Sequence, residues 1–431
     1  MSPVPTPPPH PLPPPTDPGA LAPGRFGELV GTALPVVQGP FGGGLSSVAL
    51  AAAVSEGGGL GSYGAHIHTP EEITALVARL RATTGRPFAV NLWVPQEGEA
   101  EALATVTEPM TAEHEEHVER LRPYYEELGV RPPSAGEVRA WPDFDEQLDA
   151  LLAAAPPVIS LVMGLPPRRL VTEARRRGIV VVGTATTVEE AVALERAGAD
   201  AVVASGSDAG GHRGAFLRPV RESLVGTFSL VPQVADAVSV PVVAAGGIAD
   251  GRGIAAALAL GADAVQIGTG FLAARESGAS EAHRRTLGTP EARTTVLTRL
   301  FSGRTARGIP NRFVRDMAAH EDRVPPYPVQ NALMQPVRRA AAAQDRPEYV
   351  NLWAGQAAAL AQESPSAGPY LTALVEQATR ALNGTTDTTG IRDTTGIRDT
   401  TGTTDTTATP DNTGIQATTG IPATTGITAS G

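Results

Sequence analysis

The chain has 431 residues, 42% of them hydrophobic and 18% charged, and a formal net charge of -11. That length suffices for one large α/β barrel or two smaller domains, and an acidic chain without basic runs argues against nucleic acid or an anionic membrane surface as partner. It contains no cysteine and no lysine, which excludes disulfides, iron–sulfur clusters, thiolate metal sites, a cysteine nucleophile, Schiff-base chemistry and a phosphate-loop lysine.

Residues 1–22 are rich in proline, which favours an extended, disordered segment over a contribution to a core. They lack the basic-then-apolar pattern of a secretory signal, and no apolar run approaches the ~20 residues that span a bilayer. A cytoplasmic protein is therefore expected. From residue 23 onward, short Val/Ala-rich runs bounded by glycine alternate with helical patterns. The candidate strands are 35–40, 58–64, 88–93, 158–163, 180–185, 201–206, 241–247 and 264–269. Their continuous apolar character suits parallel strands buried on both faces. "TPEEITALVARLRATTG" opens on a Thr cap and an early Pro and stops at Gly85. "TTVEEAVALERAGAD" and "DGRGIAAALALGAD" run into Gly-Ala-Asp, the expected helix stop.

This alternation predicts an α/β fold, a (β/α)8 TIM barrel over 23–280. A doubly wound open sheet is the alternative, which periodicity alone does not separate. Two stretches interrupt the alternation. An acidic helical excursion occupies about 95–145, and a mostly helical extension, a smaller second domain, occupies 281–382. Each is suited to covering the barrel mouth or to a homodimer contact. Residues 383–431 repeat "GIRDTT" and decay into Thr/Gly text with few large apolar residues, so a disordered tail is expected.

Active sites of such barrels sit at the carboxyl ends of the strands, with phosphate held after the seventh and eighth. Those ends read "AAGGIADGRG" (244–253) and "QIGTGF" (266–271). Gly246 and Gly247 let amides approach a ligand, the helix near Asp250 points its positive end the same way, and Gly268 and Thr269 offer an amide and a hydroxyl. Together they read as a phosphate site, although singly each loop is a plain tight turn. The loop after the sixth strand is "SDAGGHRG". Gly210 and Gly211 suit a planar ring lying on the backbone, and His212 is suited to proton transfer there. Asp208 either orients the imidazole or, more commonly, caps a turn. Arg213 either pairs with an anionic substrate or is exposed. Gln38, Gly39 and Pro40 end the first strand at the mouth. Asn91 ends the third, where an amide bonds both a donor and an acceptor. His66 and His68 lie just past the second strand, where either one is placed to border the site. His114 and His117 read as a solvated helix face rather than a metal pair, and no metal is expected. "GRTARG" (303–308) reads as a solvated or salt-bridged turn.

"PVVQGPFGGGLSSVALAAAVSEGGGLGSYGA", "FAVNLW", "SDAGGHRGAF", "FSGRTARGIPNRF" and "YPVQNAL…LWAGQ", with the long glycine-rich segment from Gly226 to Ser277, occur in this order. This resembles the nitronate monooxygenase family, in its bacterial class I branch, over about 35–362. The resemblance implies an FMN-binding barrel that oxidises alkyl nitronates or propionate 3-nitronate with O2 to a carbonyl product and nitrite, with no metal and no reduced nicotinamide. It implies flavin contacts at Asn91, Gly210, Gly246, Gly247, Gln266, Gly268 and Thr269, to which the strand-end and loop positions Gln38, Gly39, Ser205 and Gly211 are added as candidates. His212 would be the active-site histidine. The family loop reads Gln-Gly-x-Glu-Ala-Gly-Gly-His. Here Ser205 replaces the Gln and Asp208 the Glu, and a serine is too short to reach the atoms a glutamine would. Two other functions compete. One is an FMN-dependent NAD(P)H reductase acting on enoyl-thioesters or quinones; the other is a barrel that binds FMN without turnover.

Overall fold

The computed structural model describes residues 21–96, 98, 112–133, 142–361 and 366–384. The proline-rich N-terminus up to residue 20 and the repeat tail from 385 lie outside the described residues, as does much of the 95–145 excursion.

Among the described residues, eleven strands run in chain order: β1 (Val36–Gln38), β2 (Gly61–Gly64), β3 (Phe88–Trp93), β4 (Val158–Val162), β5 (Val180–Ala185), β6 (Ala201–Ser205), β7 (Gly211–His212), β8 (Val242–Ala245), β9 (Ala264–Ile267), β10 (Val296–Thr298) and β11 (Ala306–Gly308). Eight of them pair in the order β1-β9-β8-β6-β5-β4-β3-β2, every pair parallel. The two ends of that order meet. Leu60 N–H donates to Val36 O at 2.9 Å, and Gln38 N–H donates to Leu60 O at 2.9 Å. The sheet is thus a nearly closed barrel, and the open-sheet alternative falls. All eight expected strands are present, most of them trimmed at the glycine or proline where the chain turns.

Local chemistry sets the helices between strands. Thr69 and Glu72 form a reciprocal capping box behind Pro70. Gly178 and Gly198 stop their helices in the left-handed region, at φ 67° and 96°. Apolar faces then meet the strands: Leu194, Leu230, Val234 and Ile254 share a core with Val202, Val242 and Val265.

The region after the barrel is not one helical unit. The helix Ala112–Glu127 and the segment from about 279 to 358 share a single core, in which Leu121, Tyr124 and Tyr125 pack with Phe301, Phe313, Met334 and Tyr349. The helix Ala367–Leu382 instead returns to the barrel wall, where Tyr370, Leu371 and Leu374 pack with Leu50, Val54, Ile254 and Phe271. Its Tyr370 O–H donates to Ala249 O at 2.7 Å. The extension also carries two strands, β10 and β11, which the helical reading lacked. They form a three-stranded antiparallel sheet with β7, so that Ala306 lies opposite His212.

His117 departs from the solvated-face reading. It is fully buried, with Nε2 2.7 Å from Gln330 Oε1, because the acidic helix lays one side against the extension; the His114 side chain lies outside the described residues. Among the described residues, no helix is long and apolar enough to cross a membrane, and no group of three or more His, Asp or Glu is placed to hold a metal ion.

Candidate active site

The carboxyl ends of the barrel strands open into a cavity of about 600 Å³. Gly39, Asn91, Ser205, Gly210, Gly211, His212, Gly246, Gly247, Gln266, Gly268 and Thr269 all line it. Gln38 does not. Its side chain is fully buried on the far side of β1, where Oε1 accepts from Ser62 N–H at 3.0 Å and Nε2 donates to Gly39 O.

Two of the glycines are dictated by close approach. A Cβ on Gly210 would stand 2.5 Å from the backbone of Ala354 and Gly355. Gly246 has φ +106°, and a Cβ there would meet Ala209 N at 2.7 Å. The loop is therefore pressed between the β8 turn and the Trp353–Gly355 segment, with its backbone toward the cavity. Gly355 N–H donates to Thr269 Oγ1 at 2.9 Å, and Gln356 N–H donates to Asp208 O at 2.9 Å, which ties the three walls together.

Asp208 acts as a cap, accepting from Thr227 N–H at 2.7 Å at the start of the helix Thr227–Ala237. Arg213 neither lines the cavity nor lies exposed. It is 3% exposed and donates to Gly206 O at 2.7 Å and Ser205 O at 2.8 Å, holding the backbone of its own loop. The helix Gly251–Ala259 does not aim a free positive end at the cavity either. Asp250 already accepts from Arg252 N–H and Gly253 N–H, and Gly251 N–H donates to Gln377 Oε1. Any phosphate held here must use the loop amides.

His212 places Nε2 2.8 Å from Ser302 Oγ. Its ring meets Trp93 edge-on at 5.0 Å and Trp353 at 5.5 Å. Burial, with the charge of Arg338 nearby, holds its pKa down at about 3, so the ring is neutral at physiological pH. His66 also lines the cavity and stacks on Trp93 with ring centroids 3.8 Å apart; its pKa is likewise lowered to about 3, by burial first. His68 does not border the cavity. It pairs instead with Tyr63 Oη and Glu72.

The local reading of "GRTARG" as a solvated turn fails. Arg307 is 7% exposed and donates to Ser207 O at 2.8 Å. Arg304 sits over the Tyr327 ring at 4.7 Å and the Trp93 ring at 5.7 Å. Trp93 and Met163, at or just past the ends of their strands, and Ser302, His283, Tyr327 and Arg338, from the extension, also complete the site or its support, and none of the six is among the candidates drawn from the sequence. For Trp93, Ser302 and Tyr327 the stretches "FAVNLW", "FSGRTARG" and "YPVQNAL" carry a signal, and that signal is likeness rather than local physics. Met163, the residue after β4, adopts φ 74°, a left-handed conformation rare outside glycine, and lines the cavity.

Comparison with known proteins places this geometry. The family model for nitronate monooxygenase matches residues 25–377. A probable nitronate monooxygenase of Staphylococcus haemolyticus (strain JCSC1435) is 40% identical over 346 residues, covering 80% of this chain and 93% of the relative. One from Staphylococcus aureus (strain Newman) is 38% identical over 343 residues, covering 79% and 94%. Among solved structures, the nitroalkane oxidase of Streptomyces ansochromogenes superposes with TM-score 0.73 at 38% identity, covering 83% of this chain and 99% of its own. FabK of Thermotoga maritima superposes with TM-score 0.64 at 28% identity, covering 84% and 97%. The protein is an oxidoreductase and a member of the nitronate monooxygenase family.

Proposed function

We propose that the cavity seats FMN and that the protein oxidises alkyl nitronates, propionate 3-nitronate among them, with O2 to a carbonyl product and nitrite. One observation carries the reading: the wall of side-chain-free backbone at Gly210, Gly211, Gly246, Gly247 and Gly268 stands in the same cavity as His212. A cavity of about 600 Å³ has room for a flavin nucleotide and a small substrate. The residues present fit that group. The amides of Gly246, Gly247, Gly268 and Thr269, in the loops after β8 and β9, suit its phosphate, since glycine lets backbone N–H groups come close to an anion. Gly210 and Gly211 suit its ring. Asn91 uses Nδ2 on Ser160, at 3.1 Å to both the backbone oxygen and Oγ, which leaves Oδ1 for a ring N–H. When bound, FMN supplies the route by which electrons pass from a nitronate to oxygen.

The chain supplies orientation and charge. Ser302 O–H donates to Arg304 O at 3.1 Å, so its oxygen accepts from His212 Nε2–H, and Nδ1 is left as the acceptor. A neutral imidazole whose pKa is held near 3 is a weak base. The site therefore favours a nitronate already ionised over a neutral nitroalkane that must first lose its proton.

The test is oxygen uptake and nitrite release by the FMN-loaded protein on a preformed nitronate. Matched uptake and release with no nicotinamide present supports the reading, and a strict requirement for NADH or NADPH defeats it. The second reading is an NAD(P)H-dependent flavin reductase, kept because the chain also resembles the enoyl-ACP reductases and superposes on FabK.

A further inference from the structure

The chain carries a net charge of -11, yet among the described residues no aspartate or glutamate lines the cavity, while Arg338 and Arg339 do. Arg338 is the more enclosed of the two. One of its terminal nitrogens donates to Asn331 O at 2.9 Å and to Asn331 Oδ1 at 2.8 Å, which fixes the guanidinium from behind. No described carboxylate pairs with it. The charged and titratable groups that feel it are Tyr327, Arg339 and His212, none of them an anion at neutral pH. A cation held in a partly buried wall without a counter-charge is costly, and evolution retains such an arrangement where a ligand supplies the charge. The remaining N–H groups of the fork match a planar anion with two oxygens.

We propose that Arg338 is the anion-recognition residue of this cavity, taking a planar two-oxygen anion of the substrate on its guanidinium: the nitronate group itself or a carboxylate carried beyond it. The inference rests on the cavity being the nitronate site. It goes further in making the substrate's charge, rather than its alkyl chain, the feature selected. Trp93, Tyr327 and Trp353 form the aromatic walls, and Asn331 is the positioning residue that aims the fork.

The test compares the FMN-loaded full chain with Arg338→Met, Arg338→Gln and Arg338→Lys. Nitrate, a planar anion that does not turn over, is titrated by calorimetry. FMN affinity is measured separately by fluorescence quenching, so failure of the cofactor reading is visible by itself and also reports on folding. The expected result is nitrate binding to the parent, weakened at least about 30-fold in the Met and Gln variants and less in the Lys variant, with FMN affinity unchanged. Nitrate binding that stays within threefold in the Met and Gln variants, or no nitrate binding to the FMN-loaded parent, overturns the proposal. Turnover of ethyl nitronate and of propionate 3-nitronate then separates the two sources of charge. A KM raised for both assigns the fork to the nitronate, and a KM raised for the second alone assigns it to the carboxylate. An unchanged KM for both overturns the proposal.

Discussion

Glu190 is the strongest structural lever on the His212 loop. It is fully buried, and its carboxylate gathers four donors. Oε2 accepts from Thr186 N–H at 2.6 Å and Thr186 O–H at 2.7 Å, while Oε1 accepts from Phe216 N–H at 2.7 Å and Leu217 N–H at 3.1 Å. One side chain thus ties the end of β5 to the segment that follows His212. Glu190→Ala removes all four bonds and strands backbone donors away from water. Bonds to a charged group are worth about 1.5–3 kcal/mol each, but they share one carboxylate and do not add, so the expected loss is about 3–5 kcal/mol. Glu190→Gln keeps one oxygen and turns an NH2 group against two N–H donors, so it also destabilises, by less. Urea unfolding followed by circular dichroism measures both, and FMN affinity reports on the loop. A loss below about 1 kcal/mol in Glu190→Ala, with FMN affinity unchanged, refutes the reasoning.

Gly210→Ala forces a Cβ to within 2.5 Å of the Ala354 and Gly355 backbone, which has no rotamer to yield; a loss of about 1–3 kcal/mol and weaker FMN binding are expected from the same two assays. His66, His212 and His283 have folded pKa values near 3, 3 and 4, against 6.5 for free histidine. Above pH 6.5 these groups leave stability untouched; below it the unfolded chain takes up protons that the folded one refuses. Unfolding free energy should therefore fall as pH drops from 6.5 toward 4, by up to ~1.4 kcal/mol per pH unit for each histidine, and His283→Asn should flatten that fall. A profile level over that window contradicts the burial argument. His212→Asn should abolish what turnover of neutral nitroalkanes there is, while turnover of preformed nitronates falls far less; equal losses on the two substrates remove the proton-transfer role.

The barrel is legible in the sequence because buried parallel strands write themselves locally, as unbroken valine and alanine between glycines. The loop positions of the cavity follow from strand ends, which is why all the cofactor candidates except Gln38 reach its wall. Gln38 differs because neighbouring side chains of a strand face opposite ways, and at β1 the outward one is the polar one. What local pattern misreads depends on distant partners. His117 looks solvated on an acidic helix until Gln330, 213 residues away, accepts it. Arg304 looks like a surface turn until Tyr327 and Trp93 close over it. β7 is two residues long and exists as a strand only because β11 lies beside it.

The most direct test of the central claim is an anaerobic titration of the FMN-loaded protein, watched by visible absorbance. Propionate 3-nitronate is added to one sample, and NADPH and then NADH to another. A change in the flavin spectrum with the nitronate, and none with either nicotinamide, is expected. Bleaching by NADH or NADPH with silence toward the nitronate contradicts it, and would assign the same cavity to a reductase.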